Sequence, residues 1–208
     1  MAVAEREIIH VAAPADVAAE GLRPASWRCT RDQFHQMGDL SLFEGERTLL
    51  VEGEILVMPP VNPPHQGITT IAGDVLRAAF GGGFVVREQG PYNIGAATDP
   101  LPDIAVVAGN LRDFLVAHPA RAVLIVEVSD STLAYDRREK MSLYASAGIA
   151  EYWIININGA QIEVHRQPIL DEAQPHGFGY QDRTVHQGGD IIQPLASSRP
   201  VAVSALLP

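Results

Sequence analysis

The chain of 208 residues carries a formal net charge of −10, with 47% hydrophobic and 19% charged residues. This composition is typical of a globular protein and excludes long disordered or fibrous segments. No run of about 18 apolar residues is present, which excludes a membrane-spanning helix. The acidic balance disfavours broad nonspecific affinity for nucleic acid, because such affinity needs clustered lysines and arginines.

The start of the chain and its single cysteine indicate the cellular compartment of the protein. The composition along the chain indicates where its domain boundaries lie. Residues 1–7 lack a basic stretch followed by an apolar one, so we expect no signal peptide. Cys29 cannot form an internal disulfide, which suits a reducing cytoplasm. We predict an N-terminal arm over residues 1–26, one domain over 27–170, and a C-terminal extension over 171–208 that packs on the same domain.

The first predicted elements are a short helix and an extended segment. Thr30 and Gln33 have the spacing of a capping box, which predicts that a helix begins there. Residues 47–58 predict an extended segment. Glu52 and Glu54 are two residues apart in it and are therefore expected on one face.

The middle of the chain predicts a sheet flanked by helices. Residues 65–80 have apolar side chains at helical spacing and end in three glycines, which predicts a helix. Strands are predicted over 84–89, 103–108 and 122–128, and a second helix over about 131–147. With the strand that comes next, the order is helix, three strands, helix, strand. This order indicates an α/β or α+β sheet domain.

The last part of the chain predicts a hairpin and two weaker strands. Residues 152–157 and 161–166 flank Asn158-Gly159, a pair that is typical of a two-residue type I′ turn. Beyond them, weak strands are predicted near 180–185 and 190–193. We therefore expect the sheet to continue after the second helix.

An acid interrupts the most apolar predicted strand and is the first candidate functional residue. Glu127 lies near the end of the run 122–128, where an ionised carboxylate costs several kcal/mol unless it is compensated. Asp103 opens the neighbouring apolar run. Two carboxylates at the ends of adjacent buried strands indicate a divalent metal site. The alternatives are a buried Glu127 paired with an arginine and an Asp103 that simply begins a strand at a turn.

A lysine on the second helix is the third candidate. Asp136, Lys140 and Tyr144 recur at four-residue intervals, and therefore share one helix face. If this helix packs over the sheet, Lys140 approaches Glu127 and Asp103. It would then orient a water, help to deprotonate it, or offset charge on phosphorus. The alternative is an exposed Asp136–Lys140 ion pair, worth about 0.3–0.5 kcal/mol.

The order of these residues resembles a known family. The chain from about residue 30 to 170 resembles the Uma-type restriction endonuclease family, which belongs to the PD-(D/E)XK nuclease superfamily. The motifs that carry the resemblance are Pro102-Asp103, Glu127-Val128-Ser129, Asp136 to Lys140, Tyr144 to Trp153, Val51 to Pro59 and His65-Gln66.

The resemblance implies a restriction-endonuclease-like mixed β-sheet flanked by helices, with an αβββαβ core. It implies an endonuclease that hydrolyses DNA phosphodiester bonds with Mg²⁺ or Mn²⁺, held by Asp103 and Glu127. The superfamily usually has a lysine where this chain has Ser129, and Lys140 is the candidate that replaces it. The resemblance also favours Glu54 as a further catalytic carboxylate. The alternative is an exposed hairpin face that carries Glu52 and Glu54 as surface acids.

Several alternatives stay open at the level of the sequence. His65 could contact a phosphate or act as a general acid, and a surface histidine at a helix start is equally consistent. A non-catalytic nuclease-fold binding protein and a hydrolase of small phosphodiesters compete with the endonuclease. Exposed sheet edges and the apolar segment 152–157 predict a homodimer, whose two sites would suit cleavage of both DNA strands.

Overall fold

A six-stranded mixed sheet lies at the centre of the chain, in a computed structural model that describes residues 25–208. The predicted arm over 1–26 lies almost wholly outside the described residues. The strands of this sheet, in spatial order, are β3 (Phe84–Glu88), β4 (Ile104–Ala108), β5 (Leu124–Ser129), β6 (Glu151–Asn156), β7 (Gln161–Leu170) and β8 (Phe178–Gln187).

Two two-stranded sheets and several helical segments surround the central sheet. The small sheets pair β1 (Arg47–Val51) with β2 (Glu54–Met58), and β9 (Ile191–Ile192) with β10 (Val201–Ala202). The helical segments are α1 (Arg31–Asp39), α2 (Pro63–Phe80), α3 (Leu133–Tyr135), a π-helical turn (Asp136–Lys140), α4 (Met141–Ser146), and 3₁₀ turns at Leu111–Phe114 and Val203–Ala205.

The strand directions produce one parallel pair inside the sheet. β3, β4 and β5 run antiparallel to their neighbours, and so do β6, β7 and β8, whereas β5 and β6 are parallel. Parallel neighbours need a crossover connection, which α3, the π-helical turn and α4 provide here. The elements from α2 to β6 thus follow the predicted αβββαβ order. Among residues 25–208, no helix combines the length and hydrophobicity that crossing a bilayer requires.

The two faces of the sheet bury different helices. On one face, α2 packs its Ile68, Ala72 and Leu76 against β4, β5 and β6. On the other face, Tyr144 of α4 packs with Ile125 of β5 and residues of β6. Strand alternation explains this division, because neighbouring residues of one strand point to opposite faces.

The extended segment over 47–58 is a hairpin, so the prediction that its two glutamates share one strand face is wrong. The register pairs Val51 with Glu54 and leaves Glu52 and Gly53 as a two-residue turn. Both turn residues have positive φ angles, +48° and +79°, as a type I′ turn requires. A side chain at Gly53 would clash, since its Cβ would lie 2.7 Å from Cβ of Arg28.

The turn between β6 and β7 is not the predicted two-residue type I′ turn. β6 ends at Asn156 and β7 begins at Gln161, which leaves a four-residue connection. The positive φ of +46° lies at Ala160, not at the Asn-Gly pair. Asn156 explains the difference, because its Oδ1 accepts a 2.9 Å hydrogen bond from the backbone N–H of Gly159 and fixes another turn.

The last 38 residues of the chain contact the same sheet and core as the rest. β8 pairs antiparallel with β7 along most of its length. Beyond it, Ile192, Val201, Val203 and Leu206 are buried in the cluster that α2 forms with the sheet. The predicted weak strands are thus β8, longer than expected, and β9.

The packing predicts which apolar residues contribute most to the free energy of unfolding. Ile155 of β6 is fully buried, whereas Ile169 near the end of β7 is 42% exposed. Ile155→Ala should lower the free energy of unfolding by about 2–5 kcal/mol, because it removes buried methyl groups and leaves a cavity. Ile169→Ala, the matched control, should change it by less than about 0.5 kcal/mol. Urea unfolding measures both, and equal effects would contradict the assigned core.

Candidate active site

The register of β4 and β5 brings the first two candidate residues together. Ile104 pairs with Val126, so Asp103, one residue before β4, lies opposite Glu127. The backbone N–H of Asp103 donates to Glu127 Oε2 at 3.3 Å, and the N–H of Val128 donates to Asp103 Oδ2 at 2.9 Å. The two carboxylates are 5% and 0% exposed as residues, and thus form one buried acidic pair.

Glu127 is held by two side chains from the crossover. The Nζ of Lys140 lies 2.8 Å from Glu127 Oε2, and the hydroxyl of Tyr144 donates to Glu127 Oε1 at 2.7 Å. Both side chains come from the helix face that the four-residue spacing predicted. The structure therefore brings Asp103, Glu127 and Lys140 into one site.

Asp136 is a third acid in this site, and its position excludes the exposed ion pair considered above. It is 1% exposed, and its Oδ1 lies 3.2 Å from the Nζ of Lys140. Its Oδ2 accepts hydrogen bonds from the hydroxyls of Ser129 and Thr132, the latter at 2.7 Å. Ser129 stands at the position where the superfamily usually has lysine. Its hydroxyl orients Asp136, and Asp136 contacts Lys140.

The π-helical turn determines where these charged side chains point. π-Helical segments are rare and widen the helix locally, often at functional sites. Here the turn Asp136–Lys140 directs its first and last residues toward the end of β5, where both are buried. Arg137 and Arg138, between them, are exposed residues on other sides of the turn.

A histidine at the start of α2 completes the surroundings of Asp103. His65 Nε2 lies 3.1 Å from Asp103 Oδ2, and its side chain is 16% exposed. Asn62 caps α2 by accepting the backbone N–H of His65 at 3.0 Å, and two prolines follow the cap. The sequence offered a surface position for His65 as one alternative, and this contact with a buried acid excludes it.

The start of α2 is also tied to the ends of two strands. Asn62 donates from Nδ2 to Asp130 Oδ2 at 2.6 Å, and Asp130 directly follows β5. Asn158, from the turn after β6, donates to the carbonyl and to Oδ1 of the same Asp130 at 2.8 and 3.0 Å. These bonds fix the helix that carries His65 relative to the strand that carries Glu127.

A cleft of about 610 Å³, open to solvent, leads to this cluster. Asp103, His65 and Lys140 line it, and so does Arg47 of β1. Arg47 donates from Nη1 to the carbonyl of Pro59 at 3.3 Å and has no acidic partner among residues 25–208. Of the three acids, Asp103 thus lines a cleft that also holds a guanidinium without an acidic partner in the described part of the chain.

Glu54 does not join the other candidates. Its side chain is 58% exposed and forms a 2.8 Å ion pair with Arg28. It lines a separate surface pocket with Glu52, which pairs with His176 at 2.8 Å. No contact links Glu54 to Asp103, Glu127 or Lys140 in the described part of the chain, so its catalytic role stays a prediction.

The charges of the cluster shift one another's protonation. Burial alone lowers the pKa of a lysine, but the negative charges of Glu127, Asp136 and Asp103 outweigh it and raise the pKa of Lys140. Burial raises the pKa of Glu127 well above its ordinary value, while the charge of Lys140 opposes that rise. Burial also disfavours ionised Asp103, yet the hydrogen bond from His65 and the charge of Lys140 lower its pKa.

The donor set fits a hard divalent cation. Three carboxylates surround one ammonium group, which leaves an excess of negative charge when all are ionised. Asp103 Oδ1 accepts no hydrogen bond from any described residue, and Glu127 Oε2 accepts one from the backbone N–H of Asp103. Within residues 25–208, no three His, Cys, Asp or Glu side chains are already spaced as ligands. Mg²⁺ suits such a site because it keeps several waters and needs only one or two carboxylates.

Comparisons with known proteins decide the family. The profile of the family described as "Uma2: Putative restriction endonuclease" matches residues 31–200. The chain belongs to the Uma2 family. This confirms the resemblance on which the sequence interpretation depended, and the match continues beyond residue 170, where that resemblance ended. A search of curated proteins found no match to this Uma2 chain.

A solved structure confirms the fold of the Uma2 chain. It is described as "a putative nuclease belonging to DUF820" and comes from Anabaena variabilis ATCC 29413. The two chains superpose with a TM-score of 0.65 over 86% of this chain and 97% of the other, at 15% identity. The predicted nuclease-like mixed sheet flanked by helices is therefore correct.

The hydrogen bond to Glu127 gives a stability prediction. Tyr144→Phe should lower the free energy of unfolding by about 1–3 kcal/mol, because a fully buried carboxylate oxygen loses its donor. The matched control is Tyr135→Phe on α3, where the hydroxyl makes no hydrogen bond with a described residue. Thermal or urea unfolding compares the two, and equal effects would mean that the Tyr144 bond contributes no net stability.

Proposed function

We propose that this Uma2-family protein is a metal-dependent endonuclease that hydrolyses DNA phosphodiester bonds at Asp103, Glu127 and Lys140. The observation that carries the proposal is the surplus of buried carboxylates around a single ammonium, in a cluster whose Asp103 and Lys140 line a solvent-open cleft. Uncompensated buried acids are costly, so a site built this way favours a bound divalent cation. The nuclease family and fold of the chain support the same reaction class.

Asp103 and Glu127 would hold the Mg²⁺ or Mn²⁺ ion. When bound, the ion supplies Lewis-acid polarisation of the phosphoryl group and stabilises negative charge in the transition state. Asp103 is suited to this role because its lowered pKa keeps it ionised at neutral pH. Tyr144 and the backbone around Asp103 fix the direction of the Glu127 carboxylate, so little reorganisation is needed when a cation binds.

Lys140 acts in this proposal as a fixed positive charge. Its raised pKa keeps the ammonium protonated, so it can donate hydrogen bonds to a water or a phosphoryl oxygen but cannot accept a proton. Asp136 keeps the ammonium at the end of β5 through the 3.2 Å contact. Charge stabilisation of this kind is worth most in a site with little water.

The cleft offers two further groups to an anionic strand. Arg47 lines the cleft and has N–H donors that meet no acceptor among residues 25–208, and arginine binds phosphate through paired hydrogen bonds. His65 is directed by Asp103 and lines the same cleft. The local charge of Arg47 offsets part of the net charge of −10, which by itself repels DNA.

A homodimer and a cytoplasmic location belong to the same proposal. A duplex has two scissile strands, and two symmetric copies supply one site for each strand. β3 and β8 are the edges of the central sheet at which further contacts can form. Cys29 is a free thiol in the described structure, which suits a reducing compartment.

Cleavage of plasmid DNA with Mg²⁺ or Mn²⁺ tests the proposal. Asp103→Asn and Glu127→Gln should each lower the rate at least about 100-fold, because each removes a charged oxygen ligand while keeping the side-chain shape. Glu44→Gln, at an exposed acid outside the cleft, is the matched control and should cleave like the wild type. Retained cleavage in both site variants would overturn the assignment.

The same assay separates the competing functions. A folded protein that binds the cation but cleaves neither DNA nor small phosphodiesters would be a non-catalytic binding protein. Cleavage of bis(p-nitrophenyl) phosphate without any cleavage of DNA would indicate a small-phosphodiester hydrolase. Either result contradicts the proposed substrate.

Glu54 enters the proposal through the family resemblance alone, and one variant tests it. If Glu54 contributes to catalysis, Glu54→Gln lowers plasmid cleavage at least about tenfold. Glu52→Gln is the matched control from the same hairpin, since Glu52 also faces the separate pocket. Equal rates in the two variants and the wild type would remove Glu54 from the site.

A further inference from the structure

A second fully buried acid on the central sheet binds two arginines. Glu163 of β7 is 0% exposed and accepts hydrogen bonds from Arg137 of the π-helical turn, with Nε at 2.9 and 3.2 Å from its two oxygens. Arg183 of β8 donates to Glu163 Oε2 from Nη2 at 2.9 Å and from Nε at 3.2 Å. The Arg137 and Arg183 side chains are 41% and 50% exposed, so both guanidinium groups reach the surface.

The second arginine exceeds what a buried acid needs. On the opposite face of the sheet, Glu151 is equally buried and pairs with a single arginine, Arg166, at 2.6 Å. Arg166 also donates to the carbonyl of Gln193, and the second oxygen of Glu151 accepts the backbone N–H of Leu195. The buried Glu151 carboxylate is thus compensated by one arginine, whereas the Glu163 carboxylate is paired with two.

Both arginines at Glu163 keep a free edge. A guanidinium has five N–H donors in a planar fork, and each of these arginines uses the Nε and Nη2 edge for Glu163. Their Nη1 groups donate to no acceptor among residues 25–208. Two free guanidinium edges beside one cleft match the oxygens of a phosphate, which arginine binds through paired hydrogen bonds.

His165 and Asp171 line the same cleft. His165 is 5% exposed, and its Nε2 has no hydrogen-bond partner within the described structure, although Glu163 Oε2 lies 3.8 Å away. Asp171 is an acid that lines the cleft, and both of its oxygens accept hydrogen bonds within its own loop, from Ala173 and Gln174. The cleft therefore combines arginine N–H groups that meet no acceptor among residues 25–208 with an acid, Asp171, whose oxygens already accept hydrogen bonds.

This cleft lies beside the candidate active site on the same face of the sheet. The register aligns Glu127 with Ile154 and Ile154 with Glu163, so both acids point to one face, two strands apart. At 4.8 Å per strand, their Cα atoms are separated by about 10 Å. Between them, Tyr152 donates to the carbonyl of Asp136 at 3.1 Å and attaches the π-helical turn to the sheet.

We propose that Arg137 and Arg183, held by Glu163, bind a backbone phosphate of the nucleic-acid strand whose scissile phosphate occupies the candidate active site. The inference rests on the proposed function for its ligand. The π-helical turn contributes Lys140 to the candidate active-site cleft and Arg137 to the arginine cleft. A strand that passes this turn has charges close enough together to reach both places, since each strand of a duplex carries one phosphate per about 3.4 Å of its axis. The arginine cleft then orients the strand without touching the reacting atoms.

Binding of a short fluorescein-labelled DNA duplex, measured by anisotropy over a salt series with Ca²⁺ in place of Mg²⁺, tests the proposal. Arg183→Gln should weaken binding about tenfold, because a hydrogen-bonded charge contact to phosphate is lost. The slope of log K against log salt should fall in magnitude by about 0.9. Arg166→Gln, on the opposite face, is the matched control and should keep the wild-type slope.

The outcomes distinguish this inference from the proposed function. No DNA binding by the wild type overturns both. Binding by the wild type with an unchanged salt slope in Arg183→Gln, or the same loss in Arg166→Gln, overturns the arginine cleft alone. If Arg183→Gln does not fold, Arg183→Lys decides, because it keeps the charge beside Glu163. Weaker binding by the folded lysine variant supports the cleft, and wild-type binding contradicts it.

Discussion

The buried ammonium of Lys140 is the interaction on which the candidate site depends. It lies within 3.2 Å of Glu127 and Asp136, and together with the hydrogen bond from His65 its charge lowers the pKa of Asp103. Three carboxylates this close would repel one another and pay a large desolvation cost without it. Loss of one partner of a buried ion pair commonly costs about 3–5 kcal/mol, so the lysine contributes to folding as well as to chemistry.

The crossover between two parallel strands explains how the lysine reaches its position. A parallel pair needs a connection that leaves one strand end and returns to the other, and its helix packs back onto the sheet. In this chain the connection leaves β5 directly after Ser129 and widens into the π-helical turn, which buries Asp136 and Lys140 at that strand end. Ser129 then fixes Asp136, which holds the ammonium in place.

The central sheet uses buried acids in two ways. Glu151 and its single arginine form a closed pair in which every carboxylate oxygen has a partner inside the fold. On the other face, Glu127 lies in a cluster with an excess of negative charge. Glu163 lies in a cluster whose arginines have N–H donors without an acceptor among residues 25–208. The three acids therefore differ in the balance of charge around them: one arginine for Glu151, one lysine that Glu127 shares with Asp136, and two arginines for Glu163.

The sequence by itself determined the order of elements and the candidates Asp103, Glu127 and Lys140. Period-2 and period-3.6 hydrophobicity are local properties of the chain, so strands such as β4 and β5 could be predicted to within a residue or two. The family motifs indicated which acids and which lysine are the candidates: Asp103, Glu127 and Lys140. The partners of each charge could not be predicted in this way: the sequence leaves Asp136 open as a member of a surface ion pair and contains no pattern that marks Glu163. Only the tertiary structure decided these, because strand register and the packing of the crossover join residues far apart in the chain.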